Sequence, residues 1–392
     1  MLRASSACSL QADPGRAAEE IARGLSDLGG DGTSAALFFA TPGHGPTYGR
    51  IEHAIREAIG GGAVVGCTAA GVLAHGIERE RGPGIAALAL RGDFEAQRFY
   101  LPGLRGRAQE VGHEIGRIAA TVERTPRTVV LLADSYNLAP DELLAGVESA
   151  APGTMVVGAG ASEDGSSGET SVIGRGAASG NAAAGLVLGG LDVRTTVVQS
   201  AAPVGAWSVV TRAESNRVLE IDGKPALDVF IGHLPSLLRD DLVEALRRTR
   251  VALADEGTET DDDVPYVVRR LLGADGDRGA LLVGDEVLPG TRFAIAVRDA
   301  TTARTQLATA LAEFARAPRP AGVLYFDSVE RGAALYGIAD LDTAYLGRTL
   351  GDVALAGFFS GLELAPLGGR NRFHDSSGVL VGFRERSSEG GQ

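Results

Sequence analysis

Cysteine, lysine and long apolar runs are all scarce in this chain, and the lack of the first and the last closes off classes of function. Two cysteines in 392 residues, Cys8 and Cys67, are too few and too far apart for a disulfide scaffold or a zinc site, so the chain reads as cytosolic. No stretch reaches the ~18 consecutive apolar residues of a membrane helix. The opening Met1-Leu2-Arg3-Ala4-Ser5-Ser6-Ala7-Cys8 also lacks the sustained apolar core of a secretory signal. Lysine occurs once, at Lys224, among 37 basic residues, an imbalance we read as coding bias. With 50 acidic residues the net charge is −13, and apart from the run Thr258–Asp263 the acids are scattered, so no nucleic-acid or anionic-membrane partner is expected. That run lacks the spaced oxygens and the glycine of a calcium loop and reads as a solvated loop; no metal is expected.

Glycine, by contrast, is abundant, with 55 residues, and its placement repeats. Three stretches share one layout of apolar strand, helical segment and second apolar strand carrying glycine and small residues. They run from Ser34–Ala40 to Ala63–Gly71, from Thr128–Asp134 to Met155–Ser162, and from Gly322–Ser328 to Val353–Ser360. Each is followed by an expected return strand, at 84–91, 181–188 and 378–383. A glycine directly after a buried strand lets backbone N–H groups approach a ligand, so the three turns are expected to line one cleft. Gly66–Gly71 has neither the lysine of a phosphate loop nor the acidic residue of a dinucleotide fold, and no cofactor is expected.

The alternation of strands with helices at 48–59, 107–123 and 140–149 predicts an α/β fold: a two-domain layered sandwich of mixed β-sheets flanked by helices, with internal repeats. An apolar stripe over Asp13–Leu28 predicts a leader helix within residues 1–32. The domains are expected at 33–205 and 206–383, with a polar tail at 384–392. Between the second and third copies the pattern changes to short strands at 207–211, 217–221, 264–272, 280–288 and 292–298, with helices at 226–232, 237–248 and 303–316.

Three segments together resemble the FIST family, sensory modules written as an N-terminal and a C-terminal FIST domain. They are Gly66-Cys67-Thr68-Ala69-Ala70-Gly71, then Glu220-Ile221-Asp222-Gly223-Lys224-Pro225-Ala226-Leu227-Asp228, and Gly357-Phe358-Phe359-Ser360-Gly361-Leu362-Glu363-Leu364-Ala365-Pro366 continued by His374 and Ser377. The resemblance implies a small-molecule sensor for amino-acid-like or other small carboxylate metabolites in intracellular signalling. No kinase, cyclase, methyl-accepting or F-box segment accompanies it, so the chain reads as a stand-alone pair whose output passes through a signalling protein partner or a homo-oligomer. Many members carry a serine–cysteine pair after the third copy's first strand. Here Ser328 stands in the cysteine's place, with Arg331 and Gly332 kept, which puts any function of that thiol in doubt.

The candidate ligand-binding residues are Cys67, Thr68, Ser162, Asp327, Ser328, Arg331, Ser360, Glu363, Arg370 and His374. Arg331 is expected to hold a ligand carboxylate bidentately and Asp327 its amine; pairing of Arg331 with a neighbouring acid is the competing reading. Cys67 beside a glycine turn is a nucleophile candidate, with packing favoured. Glu363 and His374 flank the Gly368-Gly369-Arg370-Asn371 turn and are read as a ligand-positioning or structural pair ahead of an acid–base pair. Ser162 belongs to a polar loop after the second turn. An enzyme acting on a small polar metabolite ranks second to a sensor, and a protein-binding scaffold third.

Overall fold

The computed structural model describes residues 1–234, 238–255 and 264–386. The acidic run 258–263 and the tail from residue 387 lie outside the described residues. The described residues gather into two compact units, one of Met1–Val198, Leu307–Phe373 and Ser377 onward, the other of Gln199–Gln306 with His374–Ser376.

The first unit consists of the repeats seen in the sequence. Repeat one comprises β1 (Arg3–Ser9), α1 (Pro14–Leu25), β2 (Thr33–Ala40), α2 (Tyr48–Ala58), β3 (Ala63–Thr68), the hairpin β4 (Val72–Ala74) and β5 (Ile77–Arg79), and the return strand β6 (Ile85–Gly92). The first residues, placed in a leader by the sequence, form β1, which pairs antiparallel with β6 from Arg3↔Arg91 to Ser9↔Ile85. Only then comes the helix, where the Asp13 side chain accepts from the Arg16 N–H at 2.8 Å, Pro14 opens the first turn, and Ala17, Ile21 and Leu25 face inward. Repeat two follows the same order with β7 (Glu95–Pro102), α3 (Ala108–Thr121), β8 (Arg127–Asp134), α4 (Pro140–Ala150), β9 (Met155–Ala161), the hairpin β10 (Val172–Gly174) and β11 (Ala177–Ser179), and β12 (Ala182–Gly189). Repeat three opens with β13 (Leu191–Val198) and is interrupted by the second unit.

That second unit contains β14 (Ala201–Glu214), β15 (Arg217–Ile221), β16 (Lys224–Pro225), α5 (Ala226–His233), α6 (Leu242–Arg248), β17 (Thr249–Ala254), β18 (Val267–Asp275), β19 (Ala280–Val283) and β20 (Arg292–Arg298). The order β14-β20-β17-β18-β19-β15 is closed by a β14–β15 pairing, so these strands form a ring in which every neighbour is antiparallel. The long β14 serves both ends: Ala201–Val209 pairs with β20, Val210–Glu214 pairs with β15, and a register shift between Val204 and Ser208 bends it. Closure leaves β16 as the exposed continuation and removes the edges an open sheet would present.

Repeat three resumes with α7 (Ala300–Phe314), β21 (Gly322–Ser328), the short α8 (Gly332–Tyr336), α9 (Leu341–Leu350), β22 (Ala354–Ser360), the hairpin β23 (Glu363–Leu367) and β24 (Arg370–His374), and β25 (Gly378–Glu385). Each repeat therefore has a parallel pair, β2–β3, β8–β9 or β21–β22, flanked by an antiparallel return strand. Both strands of each pair are buried on both faces, which explains their near-continuous apolar sequence.

The hairpins are exchanged in a cycle. The hairpin of repeat one joins the sheet of repeat three through β4–β22, that of repeat two joins sheet one through β10–β3, and that of repeat three joins sheet two through β23–β9. The inner sheet faces share one core that includes Leu37, Phe39 and Cys67, Leu132 and Ala159, and Phe326 and Phe358. Within it Phe39 stacks on Phe358 at 4.5 Å between ring centroids, and Phe326 meets both rings edge-on. The outer faces pack on helices, α1 and α2 on sheet one and α3 and α4 on sheet two. The chain is thus an α/β molecule of mixed sheets flanked by helices with internal repeats.

Candidate functional site

The strand register makes the three copies comparable residue by residue. Phe38 lies opposite Gly66, Leu131 opposite Gly158, and Tyr325 opposite Gly357. A methyl group on any of these glycines would overlap the carbonyl oxygen of the residue opposite. The glycines are therefore inside strands and serve close approach of two backbones. They are not the ligand-facing turns expected from the sequence, because the space in front of each is filled by the neighbouring strand.

Two residues beyond the glycine's partner the copies diverge, reading Ala40, Ala133 and Asp327, and the next position reads Thr41, Asp134 and Ser328. In repeat two the carboxylate is fully served. Asp134 accepts at Oδ1 from the Tyr136 N–H at 3.0 Å and from Thr170 Oγ1, and at Oδ2 from the Asn181 N–H at 2.6 Å and Asn137 Nδ2 at 2.5 Å. Burial alone would raise its pKa, but these donors outweigh it and hold the group below the usual carboxylate value.

Repeat three contrasts with this. Asp327, Arg331 and Asp342 have fully buried side chains; Arg331 Nε lies 2.5 Å from Asp327 Oδ1 and Nη2 lies 2.7 Å from Asp342 Oδ2. Nη2 also donates to Tyr336 Oη at 2.6 Å, and the Tyr325 hydroxyl donates to Asp342 Oδ2 at 2.7 Å. The exchanged hairpin of repeat one adds a third carboxylate: Glu78, in β5, accepts from the Thr343 N–H of α9 at 2.6 Å, and its own N–H donates to Asp340 Oδ1 at 3.0 Å. Asp327 Oδ2, Asp342 Oδ1, Glu78 Oε2 and the Thr343 hydroxyl are buried and meet no hydrogen-bond partner among the described residues. One guanidinium thus bridges two of three buried carboxylates, each of which keeps an unserved outer oxygen, an arrangement that favours protons or donor-rich groups.

The titration of the corner follows. Burial pushes Asp327 well above the usual carboxylate range; Arg331 opposes this, while Asp342, Glu78 and Glu363 reinforce it. Burial likewise raises Glu78 to about 7, against the Thr343 N–H and with help from Asp342 and Asp340. Between the ordinary value of 4.5 and about 7 the folded chain holds a proton on Glu78 that the unfolded chain has lost. Stability from this group is therefore complete below about pH 4.5 and lost as pH rises through about 7, by about 3 kcal/mol for a shift of this size. Glu78→Gln, which mimics the protonated acid and keeps the oxygen facing Thr343, is expected to leave the melting temperature unchanged at pH 5 and raise it at pH 8. Parallel melting curves across this range are the check, and an unaltered pH slope in the variant would contradict the assignment.

The remaining sequence candidates are distributed around this corner and beyond it. Ser360 Oγ lies 2.7 Å from Glu363 Oε1 and 3.0 Å from the Asp327 carbonyl oxygen, and Glu363 Oε2 accepts from the Ser377 N–H at 3.3 Å, so these buried groups support the corner from β22 and β23. Ser328 Oγ accepts from the Glu330 N–H at 3.3 Å. Ser162 ties the repeats together, accepting from the Ala70 N–H at 2.8 Å and donating to the Phe359 carbonyl. Thr68 exchanges hydrogen bonds with the Ser171 backbone. Cys67 is fully buried in the inner core, where burial pushes its thiol well above the usual value, so it is not a ready nucleophile. Arg370 is exposed at the start of β24 and lines a separate surface cavity of about 530 Å³ with Asp141 and Glu148. His374, at the end of β24, is fully buried and gathers with the second unit. Arg331 is engaged by the chain's own carboxylates in the interior, the competing reading noted from the sequence.

Fold and corner together define an α/β protein of three hairpin-exchanging repeats, with a closed antiparallel barrel inserted in the third and a charge-unbalanced corner beside it in sequence. The chain belongs to the FIST family: the FIST N domain matches residues 34–224 and the FIST C domain residues 226–366. These domains are associated with sensing in signal transduction. Relatives include an uncharacterized protein of Mycobacterium tuberculosis (strain CDC 1551 / Oshkosh), 28% identical over 375 residues, 94% of this chain and 95% of the relative. An uncharacterized protein of Mycobacterium bovis is 28% identical over 372 residues, again 94% of this chain and 95% of the relative. Among solved structures, cyanuric acid hydrolase from A. caulinodans aligns over 99% of this chain and 100% of its own at 11% identity and a TM-score of 0.35, a likeness too slight to carry any argument. No helix among the described residues is long and apolar enough to cross a membrane.

Proposed function

We propose that this FIST protein is a small-molecule sensor and that the Asp327–Asp342–Glu78 corner is its recognition centre, taking the ammonium group of an amino-acid-like metabolite. The observation that carries this reading is the set of unserved carboxylate oxygens, since equivalent ends in the other repeats are apolar or, at Asp134, fully hydrogen-bonded. An ammonium group brings three donors and a positive charge, matching Asp327 Oδ2, Asp342 Oδ1 and Glu78 Oε2. This revises the division of labour expected from sequence: the acids receive the ligand's amine, and Arg331 holds two of them in place rather than reaching for a ligand carboxylate.

Entry requires the corner to open. The segment from Val329 to Asp340 is built for a discrete rearrangement, with Gly332 at φ 57°, Gly337 at φ 74° and Asp340 at φ 60°, and with Val329 and Ile338 exposed. It is held by the Ala333 N–H donating to Glu80 Oε1 at 2.7 Å. A ligand that binds the open form more tightly shifts the population toward it, and that shift is the signal passed to a partner or to a second copy.

A thermal-shift screen of the full chain against amino acids, simple amines and simple carboxylates tests the reading. Amine-bearing compounds are expected to raise the melting temperature, since a free ligand at 100 times its Kd adds about 2.7 kcal/mol. The response is expected to vanish in Asp327→Asn and to persist in Arg370→Gln. A response confined to carboxylates without an amine would overturn the assignment of the acids as the amine's receptor.

A further inference from the structure

The three carboxylates of the corner are divided in the same way, one oxygen fixed by the chain and the other bare. Asp327 Oδ1 lies 2.5 Å from Arg331 Nε, Asp342 Oδ2 takes Arg331 Nη2 and the Tyr325 hydroxyl at 2.7 Å each, and Glu78 Oε1 accepts from the Thr343 N–H at 2.6 Å. The opposite oxygens, Asp327 Oδ2, Asp342 Oδ1 and Glu78 Oε2, are buried and meet no hydrogen-bond partner among the described residues. In a dry interior such an oxygen is served either by a proton of its own or by a donor brought from outside. A protonated acid has lost the charge that attracts an ammonium and presents a donor where the ammonium needs an acceptor, so the two exclude one another.

The setting of Glu78 makes it the group that exchanges near neutrality. It arrives on β5 of the exchanged hairpin and faces Asp340, Asp342 and Thr343 at the start of α9 and Asp327 at the end of β21. On its own hairpin Arg79 is exposed, and Glu80 is turned to the Ala333 N–H at 2.7 Å. Burial raises Glu78 to about 7 against the Thr343 N–H, and Asp342 and Asp340 add to the rise. Burial also lifts Asp327, opposed by Arg331 and reinforced by Asp342, Glu78 and Glu363, so each of these acids bears on its neighbour's charge.

We propose, building on the reading of the corner as the amine's receptor, that an ammonium group and a proton compete for these oxygens, so that the corner takes an amine by giving up a proton held on Glu78. The exchange balances: the hydrogen on Glu78 Oε2 leaves to solvent as a proton, and one ammonium enters in its place. The corner's net charge is the same before and after, so the ligand reaches a dry interior without adding charge to it. An alkylammonium stays charged to about pH 10, so the pH response belongs to the corner and not to the ligand. Affinity then rises by up to about tenfold per pH unit below the Glu78 midpoint and levels off above it. The sensor is muted in acid and responsive above neutrality.

The test is titration of the full chain with ethylammonium chloride at pH 5.5, 7 and 8.5 and fixed ionic strength, with tetramethylammonium chloride, equal in charge and without N–H donors, as the control. Calorimetry in two buffers of different ionisation enthalpy, neither a primary amine, gives affinity and proton release. The Glu78 carboxyl is followed by ¹³C NMR of glutamate-labelled protein, its signal assigned by its absence in Glu78→Gln. Ethylammonium is expected to bind at least about tenfold more tightly at pH 8.5 than at pH 5.5, to release about one proton below neutrality, and to lower the Glu78 midpoint, while tetramethylammonium does none of these. Equal ethylammonium affinity at pH 5.5 and 8.5 with no proton released overturns the exchange and leaves the corner as an amine receptor. A Glu78 midpoint lowered as far by tetramethylammonium also overturns it, since charge alone would then be acting. No ethylammonium binding at any pH, with the Glu78 signal unmoved, overturns the receptor reading and the exchange with it.

Discussion

Arg331→Met is expected to destabilise the first unit by about 3–5 kcal/mol, because it removes the cation that bridges two buried carboxylates while leaving those carboxylates in place. The size of the loss reflects stranded charge more than lost attraction. In the parent, Arg331 bridges Asp327 and Asp342, and Tyr325 and Tyr336 complete the hydrogen bonds around it. Without the guanidinium, the two carboxylates it bridged are left in a dry interior without its countercharge.

Two consequences separate this account from a simple packing defect. The deficit should shrink at pH 5, where proton uptake is cheap, and widen at pH 8. It should also be largely recovered in Arg331→Met/Asp327→Asn/Asp342→Asn, in which neither carboxylate that Arg331 bridges remains to be stranded. Urea denaturation followed by far-ultraviolet circular dichroism is the measurement. The single tryptophan, Trp207, lies in the second unit, so its fluorescence gives an independent record of the barrel. A deficit that is the same at both pH values and survives in the triple variant would refute the stranded-charge explanation. Because two units are present, the transitions are compared probe by probe rather than fitted as one.

Much of the frame was legible in the chain because it rests on local pattern. Fully buried parallel strands leave continuous apolar runs, so β2, β8 and β21 and their partners stood out, and the expected return strands appear as β6, β12 and β25. The Gly368-Gly369 pair between alternating strands marked the β23–β24 hairpin, where both glycines have positive φ, 60° and 77°. The strand period of Arg292–Arg298 identified β20 to the residue.

What stayed hidden was non-local. Closure of the barrel depends on one bent strand pairing with two others, and a bend leaves no periodicity to read. The hairpin exchange hides the corner for the same reason: Glu78 is about 250 residues from Asp327 in sequence and reaches it only because β4 and β5 belong to the sheet of repeat three. Asp342 was missed because an acid in the first turn of a helix is usually explained by the helix itself. Asp327 and Arg331 were found because a charged pair directly after an apolar strand is costly to place there without a reason. Only the fold reveals that the two are engaged with each other and that the unserved oxygens belong to the acids.

The glycines of the parallel pairs give the other large effect, and it should be graded across the repeats. Gly158→Ala is expected to be the most damaging, because Gly158 sits at φ 143° and its added methyl would overlap the Leu131 carbonyl oxygen. Backbone strain and a clash with an immovable backbone atom each cost about 1–3 kcal/mol, so a loss of about 3 kcal/mol or more follows. Gly357→Ala meets the same backbone overlap, at the Tyr325 carbonyl, without the positive φ. Gly66→Ala should be mildest of the three, since its methyl would stand 2.6 Å from the Phe38 carbonyl oxygen and part of its conflict is with the movable Phe38 ring. Against a typical domain stability of 5–15 kcal/mol, the first substitution approaches the limit of folding. Soluble yield and urea midpoints for the three variants check the order 158, 357, 66. Were these positions ligand-facing turns instead of strand contacts, all three variants would fold normally and lose only binding, so a near-parent midpoint for Gly357→Ala would return the glycines to the role their sequence first suggested.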